Sequence, residues 1–171
     1  MVRWLLPVAV IAALGAGGAM AATSAMSSSA AAVKAVHNSK FGTVLVGANG
    51  KTLYRYTVDS KGVNRCTGVP ACAKYWPQLL IKAGAKPVAG TGVSASLLGT
   101  IKAKGGMAQV TYAGYPLYFF AGDSKAGQVG GEGFGKTWYV VNTKGALVTK
   151  RVTSTSSTST SSSKSAGGGW G

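Results

Sequence analysis

Eight residues have types and spacings that could do chemistry, and they form two matching sets. The first is Tyr54, Tyr56, Asp59 and Trp76; the second is Tyr118, Phe120, Asp123 and Trp138. Each set opens as Tyr-x-aromatic-x-x-Asp, continues Ser-Lys and closes on a later Trp. Paired carboxylates suggest hydrolysis, but such a site needs two of them converging on one bond. The chain has only Asp59, Asp123 and Glu132, 3 acids against 18 Lys and Arg. A hard cation wants six or more oxygens, usually from several carboxylates, so one Asp per set argues for no metal. In the first set Asp59-Ser60-Lys61-Gly62 fits a type I turn, with the Asp side chain accepting backbone N–H bonds. The aromatic residues are the stronger binding candidates, because Tyr and Trp join a flat apolar face to a polar tip. The same residues would equally fill the core of a small Gly-rich module.

Other apparent sites weaken on inspection. The single histidine, His37, lies in an Ala/Ser/Lys-rich lead-in that does not hold a catalytic triad in place. It reads as a solvated linker residue. Residues 130–137, Gly-Gly-Glu-Gly-Phe-Gly-Lys-Thr, satisfy the phosphate-loop pattern. That loop works only between a strand and a helix, whereas Trp138-Tyr139-Val140-Val141 continues as strand. No catalytic residue, nucleotide or other cofactor is therefore expected, and an enzyme is not the favoured reading. Cys66 and Cys72 form a short loop with Gly68 and Pro70 between them. In an exported chain they are expected to pair as a structural disulfide.

Export is indicated at the N-terminus. Arg3 precedes the apolar run Trp4–Leu14, and Ala19-Met20-Ala21 offers a small-x-small cleavage site. The run is shorter than the roughly 20 residues a bilayer span needs. The organisation that follows is a signal peptide at 1–21, an Ala/Ser-rich linker at 22–40, a β domain at 41–150 and a disordered Ser/Thr/Gly-rich tail at 151–171. Within the domain, the two copies of the motif lie 64 residues apart (118 − 54). They define repeat 1 at about 41–80 and repeat 2 at about 97–150, with 79–92 as the connection. Repeat 1 is expected to hold a hairpin, residues 43–46 against 51–57, turned at Asn49-Gly50 in type I′. A single helical turn is expected before Pro77. Repeat 2 reads as a meander of Leu97–Lys104, Met107–Tyr112 and Tyr115–Phe120, followed by a hairpin turned at Asn142–Gly145. No segment sustains a helical period. The fold class is mainly β, two degenerate antiparallel hairpin or meander repeats that complete one small core, with at most short helical turns.

In this order the residues resemble a bacterial family of secreted or lipoprotein repeats of unknown function, marked by a Tyr-x-(Phe/Trp/Tyr)-x-x-Asp motif. The family pattern is similar to Gly50, Thr52, Leu53, Tyr54, Tyr56 and Asp59, then Cys66 and Cys72, then Trp76-Pro77. In the second copy it is Gly114, Pro116, Leu117, Tyr118, Phe120 and Asp123, then Trp138-Tyr139. The chain departs in lacking a lipobox cysteine and in having Ala113 where Asn would suit the turn. The resemblance implies a compartment and a fold unit but no activity.

The formal charge of +15 would draw the protein to anionic polymers or membrane surfaces at low salt. Export and the lack of a reader motif disfavour nucleic acid. The expected function is a secreted, non-catalytic envelope or extracellular module that adheres to an anionic cell-wall polymer or membrane surface. The alternative is a small extracellular redox or ligand-binding protein, using the Cys66/Cys72 pair or an aromatic pocket.

Overall fold

Two hairpins of alternating, β-rich sequence frame the molecule. The computed structural model describes residues 32–149; the expected signal peptide, the linker up to residue 31 and the tail from 151 lie outside the described residues. The first hairpin joins β1 (Ala32–Asn38) to β2 (Gly42–Gly47), in register from Val33↔Gly47 to Asn38↔Gly42. Its turn is held by the Asn38 side chain, whose Oδ1 accepts from the Lys40 and Phe41 N–H groups at 2.9 and 3.1 Å. This corrects the reading of 22–40 as flexible linker, since residues 32–38 are strand and Val33 is fully buried. The strand was hidden because its few apolar residues gain stability only from β2 on one side and β5 (Val88–Ala89), running parallel, on the other. His37 is an exposed residue of this strand, paired with Thr43.

The second hairpin joins β6 (Leu98–Lys102) to β7 (Met107–Tyr112), as expected, across Gly105 and Gly106. Both glycines have positive φ, 67° and 68°, which only glycine adopts freely. Shifted by 64 residues, β1 falls on β6 and β2 on β7, so each repeat begins with a hairpin.

The two motif segments meet at the centre. In β3 (Tyr54–Tyr56), Tyr54 lies antiparallel to Tyr118, and each N–H donates to the other's carbonyl, at 2.8 and 3.0 Å. On its other edge β3 pairs with β9 (Trp138–Val140) of repeat 2, while Tyr118 bridges Gln78 of repeat 1. The exchange continues outward. β4 (Leu80–Lys82) leaves repeat 1 to pair with β7, and Asn142 of repeat 2 bridges Val44 in β2. Segment 79–92 is thus not a bare connection, because it supplies β4 and β5. β4 is a strand because Leu79 and Ile81 find an apolar partner surface against β7 of the other repeat, whereas β5 is held by β1. Neither repeat closes its own core.

Alternation along the motif strands splits that core in two. Leu53 and Leu117 face an aliphatic cluster with Val33, Leu45, Val110 and Val141, whereas Tyr54 and Tyr118 face an aromatic one. The α-helix α1 (Pro70–Tyr75) begins with Pro at its first turn and stops before Pro77, and the Cys66–Cys72 disulfide closes the loop it occupies, Cα–Cα 5.4 Å. The expected type I′ turn at Asn49-Gly50 does not form. Only Gly50 has positive φ, because the Asn49 side chain instead accepts from the Lys51 N–H at 3.0 Å and fixes a different local bend. The pairing beyond it survives, with Leu53 N–H donating to Leu45 at 2.9 Å. The two positive φ values of a I′ turn occur between β7 and β8 (Tyr115–Pro116), at Ala113 (51°) and Gly114 (85°).

Candidate functional site

Each motif tyrosine reaches the aspartate of the other repeat. Tyr54 Oη donates to Asp123 Oδ2 at 2.5 Å, and Tyr118 Oη donates to Asp59 Oδ2 at 2.6 Å. The exchange follows from the antiparallel Tyr54–Tyr118 pairing, which sends each phenol past the partner strand to the turn beyond its end. The second carboxylate oxygens are also used: Asp59 Oδ1 accepts from Arg65 N–H at 2.7 Å and Asp123 Oδ1 from Gly130 N–H at 2.9 Å. Both tyrosines are fully buried and both aspartates nearly so. Asp59 was expected to cap its own four-residue turn. Instead that turn closes between Ser60 and Val63, and Asp59 turns inward to the Arg65 amide and the phenol of the other repeat, which offer buried donors.

Electrostatics follow from that burial. Desolvation pushes the Asp59 carboxyl above its ordinary range, although the Arg65 N–H and Tyr118 hydroxyl oppose it. Desolvation, reinforced by the bonded aspartate, drives the Tyr54 and Tyr118 phenols far above the ordinary 10.0. Neither phenol ionises in the folded protein over the usual pH range.

Between the two Tyr–Asp pairs lies a ladder of four rings. Trp76 and Trp138 stack face to face, centroids 3.8 Å apart and planes within 1°. Tyr56 covers the outer face of Trp138 at 4.4 Å, and Phe120 that of Trp76 at 4.6 Å. Tyr54 meets Trp76 edge-on at 5.5 Å, and Tyr118 meets Trp138 edge-on at 5.1 Å, the orientation ring quadrupoles favour. All eight singled-out residues therefore converge on one centre, with Cys66 against it. Trp76 and Trp138 are only 3% and 4% exposed, so the centre is packed interior and not an open groove.

Two further residues escaped the sequence reading. Arg55 is buried, with its guanidinium 3.4 Å above the Tyr115 ring centroid and Nη1 donating to Gly145 O at 2.6 Å. Its Nε has no partner among the described residues, and burial lowers its pKa. Its place beside Leu53 on the inward strand face was the available signal. Glu132 accepts from Val140 N–H at 2.6 Å, and burial raises its pKa. The Gly-x4-Gly-Lys-Thr stretch around it holds only a three-residue 3-10 turn, Phe134–Lys136, before β9, so it lacks the helix that would aim amides at a phosphate. Among the described residues no group of three His, Cys, Asp or Glu is placed to hold a metal ion, and no helix is long and apolar enough to cross a membrane.

The fold and this centre define a class: a disulfide-bonded β module of two interlocked repeats, joined through reciprocal Tyr–Asp pairs. A family described as a secreted repeat of unknown function (Lipoprotein_15) matches residues 35–79 and 99–142, and the chain belongs to it. The two matched segments begin 64 residues apart (99 − 35), the same offset as the motif, and the first begins inside β1. No curated protein and no solved structure matches.

Proposed function

We propose that the protein is a non-catalytic envelope module that adheres to anionic cell-surface polymers through an unopposed positive surface. One observation carries this reading. All three acids turn inward, Asp59 and Asp123 to tyrosines and backbone amides, Glu132 to the Val140 amide. Every lysine among the described residues is exposed except half-buried Lys51, and Arg65 is exposed as well. The scarce negative charge is consumed by architecture, so no acidic side chain among the described residues neutralises the surface lysines locally. Such a one-signed field concentrates anionic partners over a distance set by salt, about 10 Å at 0.1 M and about 3 Å at 1 M. The family description as a secreted repeat fits a surface location.

The test is binding of the purified protein to isolated cell walls and, separately, to anionic vesicles across a salt series. Affinity is expected to fall steadily with salt, and Lys82→Gln/Lys102→Gln/Lys104→Gln to weaken it further. Retention that ignores salt would refute the proposal.

A further inference from the structure

The aromatic centre contains more than packing requires. Comparison of the two repeats within the chain separates the ladder positions. The outer ring is Tyr56 in one repeat and Phe120 in the other, so that place accepts any flat ring. The inner pair is Trp in both repeats, and the edge-on ring is Tyr bonded to Asp in both. Indole and phenol are among the side chains most readily oxidised by one electron. A phenol gives up an electron easily only if its proton can leave at the same time. Here each phenol already points its proton at a carboxylate oxygen, at 2.5 and 2.6 Å. The buried Tyr112 differs, since its hydroxyl donates to the Thr143 carbonyl at 2.8 Å, which cannot take the proton.

We propose that the Trp76–Trp138 stack and the two Tyr–Asp pairs form a one-electron relay that stores an oxidising equivalent as a buried tyrosyl radical. The partner is a diffusible, outer-sphere one-electron oxidant, favoured by the surface charge when it is an anion. The oxidant takes one electron from the stacked tryptophans beneath half-buried Tyr56 and is itself reduced. The facing rings share the cation, and the indole protons stay in place. Tyr54, edge-on to Trp76, or Tyr118, edge-on to Trp138, then gives an electron to the tryptophan pair and its phenolic proton to Asp123 or Asp59. The products are neutral tryptophans, a neutral phenoxyl radical and a protonated aspartate, so the centre passes from the aspartate's single negative charge to neutral, and no separated charge is left buried. An external one-electron donor reverses the last step, returning the proton to the phenol. Burial of both tyrosines keeps the radical from coupling with another chain.

The experiment treats the full chain with hexachloroiridate(IV) and follows freeze-quench electron paramagnetic resonance beside oxidant consumption. The wild type is expected to show a phenoxyl signal, which Tyr54→Phe/Tyr118→Phe reduces about tenfold. Trp138→Phe is expected to slow oxidant consumption about tenfold, equivalent to roughly 1.4 kcal/mol of barrier. Circular dichroism reports whether each variant is folded. Should the double variant fail to fold, Tyr56→Phe/Tyr75→Phe/Tyr115→Phe/Tyr139→Phe leaves the buried pairs intact and must keep the wild-type signal. Loss of the signal in that fourfold variant, or its survival in a folded Tyr54→Phe/Tyr118→Phe protein, overturns the relay.

Discussion

Raising the pH should unfold this protein through two specific protons. Tyr54 and Tyr118 are fully buried and their phenols are held protonated far above 10.0, first by desolvation and then by the bonded aspartates. Above pH 10 the unfolded chain releases both protons and the folded chain keeps them. The unfolded state then binds two fewer protons, so stability falls as pH rises, by about 1.36 kcal/mol per pH unit for each group. The pair together costs about 2.7 kcal/mol per unit above pH ~10, a large share of the roughly 5–15 kcal/mol that holds a domain together. The assay is urea unfolding from neutral pH into the alkaline range by circular dichroism, with phenolate absorbance recorded in parallel. Lysine neutralisation also acts in this range, so the decisive comparison is with Tyr54→Phe/Tyr118→Phe. That variant starts less stable, because each lost bond to a carboxylate is worth about 1.5–3 kcal/mol, but its alkaline slope should be shallower by about 2.7 kcal/mol per unit. Equal slopes for the two proteins would refute the reasoning.

On the acid side the sign is opposite to that of most proteins. Burial raises Asp59 and Glu132 above their ordinary 3.8 and 4.5, so the folded state binds these protons at higher pH than the unfolded state. Their contribution to stability is full below the ordinary values and is lost as pH rises through the folded ones; melting temperatures should climb as pH falls through this window, and a steady fall would contradict it. Gly131 sits under the Trp76 ring, where an added Cβ would lie 2.7 Å from the ring edge. Gly131→Ala should therefore cost about 1–3 kcal/mol by overpacking, read as a lowered urea midpoint, and an unchanged midpoint would show the stack is loose. Ala113 occupies left-handed backbone at φ 51°; Ala113→Asn should add roughly 0.5–1 kcal/mol, part of the cost an ordinary Cβ incurs there, and a lower melting temperature would count against that turn.

Much of the local structure was legible from residue order alone. Alternation placed Leu53 and Tyr54 on opposite faces, Gly105-Gly106 and Asn142–Gly145 marked turns, Pro77 stopped the helix, and Cys66 with Cys72 announced a short covalent loop. The repeated Tyr-x-aromatic-x-x-Asp identified both the family and the 64-residue offset, because it is a local pattern and recurs intact. Carried back from Tyr54, that offset would also have placed a strand opposite β6, where composition alone suggested a linker. What no local pattern encodes is which partner each group finds. Ala32–Asn38, Leu80–Lys82 and Val88–Ala89 are strands only because surfaces distant in sequence accept them. Asp59 looked like the cap of its own turn, and only the antiparallel crossing of the two motif strands delivered it to Tyr118 while Asp123 went to Tyr54. The stacking of Trp76 on Trp138 depends on the same crossing, since the return strand of each repeat lies beside the motif strand of the other. Residue types along the chain determined that two aromatic, Asp-ended strands exist; exchange between the repeats turned them into one buried centre.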